Sequence, residues 1–147
     1  MIDVRNEILK NADTKYKEFH TGLVPGIGRC NGVPTPALRK MAKEVCKDDW
    51  RGFLSVPSEC YEETIIRALV IAGAKMDVHE RLRLMEEFMP EVSNWAVCDI
   101  FCGEWTAKGE EERNALWEYC LRQIETGGEF RMRVAAVMML VHFIDPE

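Results

Sequence analysis

The spacing of apolar residues is the feature that most restricts how this chain can fold. Apolar side chains recur at helical spacing in successive segments, breaker-rich stretches separate those segments, and none shows convincing strand alternation. The pattern therefore predicts about eight helices joined mostly by short loops. Their predicted bounds are residues 4–20, 37–45, 48–54, 57–76, 77–90, 95–102, 110–124 and 129–144.

Paired helices suggest a repeat architecture. Up-and-down helix pairs with a period of about 40 residues are typical of an α-solenoid of HEAT-like repeats. We therefore predict an all-α solenoid fold, with an irregular helical bundle as the alternative. The length of 147 residues is enough for one domain with its own core, so residues 1–147 are predicted to form a single helical-repeat domain.

The last predicted helix is apolar around its whole circumference from Val134 to Val141. Such a helix is usually covered on every side, whereas the terminal repeat of a solenoid carries a polar outer face. We expect either further carboxy-terminal helices that this chain lacks, or a second copy that covers the surface. The first interpretation is favoured, and the oligomeric state stays open.

The net charge of -6 argues against a general nucleic-acid binder, but the charge is unevenly distributed. Residues 1–75 carry 12 Lys and Arg against 10 Asp and Glu, whereas residues 76–147 carry 7 against 15. A surface that faces phosphates should therefore draw mainly on the first half, with a few arginines from the second.

The composition also bears on compartment and metal binding. The chain has no apolar run of about 18 residues, and its first residues are too polar for a signal peptide, so we expect a cytoplasmic protein without membrane contact. The six cysteines include no C-x-x-C pair. We expect reduced, buried thiols rather than disulfides or a metal site, and no cofactor is indicated.

One carboxylate interrupts an otherwise apolar helix. The segment from Trp95 to Cys102 has no Pro or Gly, and Asp99 is its one polar residue. Helical spacing places Trp95 and Asp99 on the same face, about one turn apart. The pair can hold a cationic group through cation–π attraction and opposite charge. Alternatively, Asp99 pairs with a nearby Arg while Trp95 simply packs.

Two further features complete the candidate surfaces. The predicted helix that follows the Thr35-Pro36 cap carries Arg39, Lys40 and Lys43, which would suit a phosphate backbone, although a solvated charged face is the default interpretation. The other two tryptophans near the central helix, Trp105 and Trp117, are predicted to be core residues.

Several motifs in this order resemble one known family. The first half contains Tyr16-x-x-Phe19, then Leu23-Val24-Pro25, then Gly32-Val33-Pro34-Thr35-Pro36-Ala37-Leu38-Arg39-Lys40-Met41-Ala42-Lys43-Glu44. The second half contains Asn94-Trp95-Ala96-Val97-Cys98-Asp99-Ile100-Phe101-Cys102 and Phe130-Arg131-Met132-Arg133-Val134-Ala135-Ala136. Together these motifs resemble the AlkD-like DNA alkylation repair family over nearly the whole chain.

The resemblance implies a HEAT-like solenoid whose concave face holds duplex DNA carrying alkylated bases. Founding members are glycosylases that remove cationic alkylated purines such as 3-methyladenine and 7-methylguanine. Asp99 matches the family's catalytic carboxylate and Trp95 its companion aromatic. Arg133 is the best match to an arginine that approaches the DNA backbone, and Arg131 is the rival match. The expected function is therefore hydrolytic removal of alkylated purines.

This chain departs from the family pattern in two ways. The family's second cleft tryptophan lies on a helix that would follow Ile144, and this chain has no matching residue there. In addition, the presence of Cys98 and Cys102 around the aspartate resembles a divergent branch of the family. Two alternatives therefore stay open. One is a non-catalytic DNA-binding solenoid that recognises distorted or branched duplex, and the other is a protein-interaction scaffold, which the acidic second half favours.

Overall fold

The computed structural model describes residues 2–144, and this part of the chain is entirely helical. It contains nine α-helices and one short 3-10 helix at Met89–Glu91. The helices are α1 (Val4–Lys10), α2 (Thr14–Leu23), α3 (Thr35–Cys46), α4 (Trp50–Leu54), α5 (Tyr61–Gly73), α6 (Val78–Phe88), α7 (Trp95–Glu104), α8 (Gly109–Thr126) and α9 (Glu129–His142). The predicted all-α class is therefore confirmed.

Alternate helices stack into a row. In that row α3 packs on α5, α5 on α7 and α7 on α9. The helices α4, α6 and α8 lie beside the row, where they contact α3, α5 and α9 and where α6 also contacts α8. Each helix in the row packs mainly on its neighbours in the row, which is consistent with a helical-repeat solenoid or a helical bundle.

The middle of the row is the most deeply buried part. Helix α5 is apolar on nearly all sides, and ten of its thirteen residues are buried. Its small residues Ala68 and Ala72 are covered completely or nearly so, which lets neighbouring helices approach closely. Helix α7 is the next helix of the row and buries Val97, Cys98 and Phe101 against the same core. Asp99 therefore lies on the surface of a helix whose other side is packed into the core.

The amino-terminal region differs from the predicted single helix over residues 4–20. The side chain of Asp13 accepts hydrogen bonds from the backbone N–H groups of Lys15 and Tyr16 and so begins a second helix. Apolar spacing alone hides such a break, because the pattern continues across it. Leu9 and Phe19 belong to the apolar positions of this pattern, yet they are 66% and 64% exposed.

The two tryptophans that were predicted to be core residues differ in their burial. Trp105 is buried, with Phe101 edge-on to its ring, as predicted. Trp117 is 41% exposed and packs edge-on against Phe143, so its assignment to the core was wrong. On α9, Leu140 and Val141 are also exposed, so part of this apolar helix is uncovered within residues 2–144. Within residues 2–144, no helix combines the length and apolar character needed to cross a bilayer.

Candidate functional site

An open strip runs along one side of α7. Trp95, Asp99 and Gly103 follow one another at intervals of four residues and therefore lie on one face of the helix. The indole of Trp95 is 41% exposed, and the side chain of Asp99 is 37% exposed. A Cβ at Gly103 would meet no atom within 4 Å. The strip is therefore accessible along its length, with the carboxylate at its centre.

Local sequence explains why α7 begins at Trp95. The buried side chain of Asn94 accepts a hydrogen bond of 3.0 Å from the backbone N–H of Val97, which caps the helix. The next turn places Asp99 on the exposed side, while Cys98 and Cys102 point into the core. The predicted arrangement of Trp95 and Asp99 on one helix face is therefore what the structure contains.

Asp99 is held by an arginine from the neighbouring helix. The Nε of Arg133 donates to Oδ1 of Asp99 at 3.2 Å, and Nη2 donates to Oδ2 at 2.9 Å. Helix α9 can present this arginine because Val134, the next residue, is buried against α7. The hydrogen bond from Arg133 to Asp99 raises the pKa of the guanidinium, so the arginine stays charged.

The Asp99–Arg133 pair contributes little to the stability of the fold. Both side chains are exposed by about two fifths, at 37% for Asp99 and 43% for Arg133. Exposed ion pairs stabilise proteins by about 0–1 kcal/mol. The pair does fix the direction of the carboxylate, which lies on an accessible face beside an indole. That arrangement can stabilise positive charge on a molecule that approaches α7.

A family model described as "DNA alkylation repair enzyme" matches residues 4–145. The chain belongs to the DNA alkylation repair enzyme family. The resemblance carried by the sequence motifs is therefore confirmed, and membership connects this protein with the enzymatic repair of alkylated DNA. Comparisons with curated proteins and with solved structures give no significant match.

The basic residues of α3 occupy different environments in this alkylation-repair protein. Arg39 forms an ion pair with Glu104, the last residue of α7, and both side chains are partly exposed. Lys40 and Lys43 are exposed, and neither forms an ion pair within residues 2–144. Arg39 is therefore already engaged by a carboxylate, whereas Lys40 and Lys43 are not held in an ion pair.

Arg131 points away from the Asp99 strip. Its Nη1 donates to Glu86 at 2.9 Å and to the side-chain oxygen of Gln123 at 2.5 Å. The same Glu86 accepts a hydrogen bond of 2.6 Å from Tyr119. Glu86, Tyr119 and Gln123 border a groove of about 550 Å³ between α6 and α8, outside the row of helices. The structure therefore brings Arg133, and not its rival Arg131, to the carboxylate.

The cysteines near the site are buried and reduced. Cys98 and Cys102 are fully buried within α7, and all six thiols are free. A hydrogen bond with Cys98, together with burial, raises the pKa of Cys102 and keeps it protonated. Within the described residues, no group of three His, Cys, Asp or Glu side chains could hold a metal ion.

Spacing and resemblance missed two parts of the surroundings of Trp95. The place of Gly103 on this face could have been predicted from the sequence, because Gly103 lies four residues after Asp99 and Trp95 lies four residues before it. The indole N–H of Trp95 donates to the backbone carbonyl of Leu23 at 3.3 Å, across 72 residues of sequence. A contact of this kind, with a main-chain atom on a distant helix, leaves no sequence signal.

Proposed function

We propose that this protein is a DNA glycosylase that hydrolyses cationic alkylated purines, such as 3-methyladenine and 7-methylguanine, from duplex DNA. The observation that carries the proposal is the accessible Asp99 carboxylate, held by Arg133 beside the exposed indole of Trp95. Membership in the DNA alkylation repair enzyme family supports the class of reaction. The glycosylase activity itself and the roles of the three residues are our proposal.

The chemistry required of the protein is modest, because an alkylated purine that already carries positive charge is a good leaving group. The bond between C1′ and the purine nitrogen breaks, and its electron pair leaves with the base, which becomes neutral. Positive charge then grows on the deoxyribose, and a water oxygen adds to C1′ and gives up a proton. The barrier is therefore set by how well the surroundings stabilise the oxocarbenium-like sugar.

Asp99 is suited to that task. A carboxylate fixed in direction stabilises developing positive charge without reorganising, and such a preorganised group contributes about 10²–10³ to the rate. It also accepts a hydrogen bond from the attacking water. Trp95, one turn earlier on the same face, offers an indole surface against which the deoxyribose can lie.

Arg133 has two roles in this proposal. It holds the carboxylate of Asp99 through two of the five N–H donors of its guanidinium, so it has donors left for a backbone phosphate. Lys40 and Lys43 on α3 are the further phosphate contacts that we propose, with Arg39 available once Glu104 is displaced. Arg131 is left out because it is held by Glu86 and Gln123.

A second candidate function rests on the same ion pair. Both oxygens of Asp99 already accept hydrogen bonds from Arg133. A carboxylate engaged in this way is also consistent with a protein that binds distorted or branched duplex without excising a base. This alternative predicts salt-sensitive DNA binding with no release of base.

Release of 7-methylguanine from alkylated duplex DNA, measured by chromatography of the freed base, tests the proposal. We expect release by the wild-type protein and a loss of about 10²–10³ in rate for Asp99→Asn. The matched control is Glu80→Gln, which breaks another two-bond pair, that of Glu80 with Arg51 between α4 and α6. Equal rates for Asp99→Asn and wild type would refute the proposal, and binding without release would favour the second candidate.

A further inference from the structure

The indole of Trp95 is fixed by a helix that lies outside the row. Its Nε1–H donates to the carbonyl oxygen of Leu23, the last residue of α2, at 3.3 Å. The final carbonyls of a helix have no partner within the helix, so this bond also satisfies a group that would otherwise need water. An exposed ring can turn about its side-chain bonds, and one directional bond restricts that rotation. The orientation of Trp95 therefore depends on where α2 ends.

The segment that follows α2 is held by a buried carboxylate. Glu62, in the first turn of α5, is 1% exposed. Buried carboxylates are costly unless hydrogen bonds compensate the lost hydration. Here the donors come from four consecutive residues of the loop after α2. They are Cys30 Sγ at 3.1 Å, Asn31 N at 2.9 Å, Asn31 Nδ2 at 3.3 Å, Gly32 N at 3.1 Å and Val33 N at 3.5 Å.

The same loop is bonded to the beginning of α2. The backbone N–H of Asp13, the residue that caps α2, donates to the carbonyl of Gly32 at 2.9 Å. Gly32 has a φ of +82°, and a Cβ there would lie 2.4 Å from the carbonyl oxygen of Asp13. Only glycine permits this approach. Helix α2 is thus connected at its start to the loop that Glu62 holds, and at its end to Trp95.

We propose that Glu62 is a positioning residue for Trp95, acting through the loop at residues 30–33 and through α2. The carboxylate fixes the loop on α5, the loop fixes α2, and the carbonyl of Leu23 fixes the indole. The consequence for catalysis rests on the proposed role of Trp95 in base release. The consequence for the orientation of Trp95 does not depend on that proposed role. It can be measured on the protein without DNA.

A neighbouring residue provides a matched control. Glu63 follows Glu62 on α5 and is also buried, but its carboxylate bonds to Arg5 and to the backbone N–H of Glu59. It makes no hydrogen bond to the loop at residues 30–33. Glu63→Gln therefore removes a buried charge from the same turn of the same helix, and we expect it to leave the indole of Trp95 undisturbed.

The first readout is hydrogen exchange at the tryptophan indole N–H groups, measured by nuclear magnetic resonance. The chain has four tryptophans, so four signals are expected, and the signal absent from Trp95→Phe is that of Trp95. We expect Glu62→Gln to accelerate exchange at Trp95 about tenfold while Trp105 changes little. Unchanged exchange at Trp95 in Glu62→Gln would overturn the proposal, as would equal acceleration in Glu63→Gln.

The second readout is a double-mutant cycle with base release. If Glu62 acts through Trp95, Glu62→Gln lowers the rate constant of release about tenfold in the wild type and little in the Trp95→Phe background. The loss of thermal stability should be the same in both backgrounds. Additive effects on release would overturn the proposal. Should the wild type release no base, the proposed function fails, and the exchange measurement still decides the role of Glu62.

A milder variant covers the case in which Glu62→Gln does not fold. Cys30→Ala removes one of the donors to Glu62 and leaves the backbone donors of residues 31–33 in place. We expect exchange at the Trp95 indole to accelerate about twofold to threefold. Exchange at the wild-type rate in this folded variant would count against the proposal.

Discussion

Filling the open space at Gly103 should raise stability and lower activity together. Gly103 lies on α7 one turn beyond Asp99, it is exposed, and a Cβ there would meet nothing within 4 Å. The variant Gly103→Gln is therefore accommodated by the folded protein without a clash. Its side chain would occupy the space across which, in our account, the DNA backbone reaches the carboxylate.

The two effects have different sizes. Glycine within a helix costs about 1 kcal/mol relative to alanine, and glutamine costs much less, so the substitution near the end of α7 should stabilise the fold by about 0.5 kcal/mol. For a chain of this length, that corresponds to a rise in Tm of about 1–2 °C. A displacement of about 1 Å at a reacting centre costs about 10² in rate, so at least a tenfold loss of base release is expected.

Thermal unfolding and release of 7-methylguanine from duplex DNA would be measured on the same preparations. Gly73→Gln is the matched control, because Gly73 is the last residue of α5, is exposed, and has the same empty surroundings. We expect the control to release base at the wild-type rate. Release at that rate by Gly103→Gln, with unchanged DNA affinity, would refute the idea that DNA lies along the strip on α7.

Three other predictions concern charge. We expect Lys43→Gln to weaken DNA binding and to reduce the slope of log affinity against log salt by about 1, with little change in Tm. Arg131→Gln removes a cation bound to the half-exposed Glu86, so we expect it to cost about 0–1 kcal/mol of stability while the salt slope stays unchanged. Burial alone would raise the pKa of Glu62, but hydrogen bonds from Asn31, Cys30 and Gly32 outweigh it and lower the pKa. The stability contributed by this ionised carboxylate is therefore present above its unfolded pKa of about 4.3 and is lost as the pH falls through the lower folded value. Unfolding midpoints of wild type and Glu62→Gln should converge as the pH falls through the lowered folded pKa of Glu62, and a constant difference would contradict this reasoning.

Helical periodicity was sufficient to predict the fold class and most helices, because most of the helices bury a face of their own. It failed where the hydrogen bonds of a polar side chain ended one helix and began the next. The cap at Asp13 divides a continuous apolar pattern into α1 and α2. Trp117 and Leu9 match the spacing of core residues, yet neighbouring helices leave them exposed.

The site, like the fold, could be predicted from the sequence only in part. The shared face of Trp95 and Asp99 follows from positions on one helix, so spacing predicts it. The partner of Asp99 comes from α9, 34 residues later, and only the family resemblance favoured Arg133 over Arg131. The role of Glu62 in holding the loop could not be recognised from the sequence. Glu62 and Glu63 both lie in the first turn of α5, where acidic residues are common in any helix. The role of Glu62 arises from loop donors that are mostly main-chain N–H groups.

The most direct test of the central claim compares binding and chemistry in Asp99→Asn on one duplex that contains 7-methylguanine. Affinity would be measured by fluorescence anisotropy, and release under single-turnover conditions with protein in excess. Our account predicts an affinity within about threefold of wild type, because the pair with Arg133 is exposed, and a loss of release of about 10²–10³. Release at the wild-type rate, or a loss of release explained entirely by lost binding, would contradict the account.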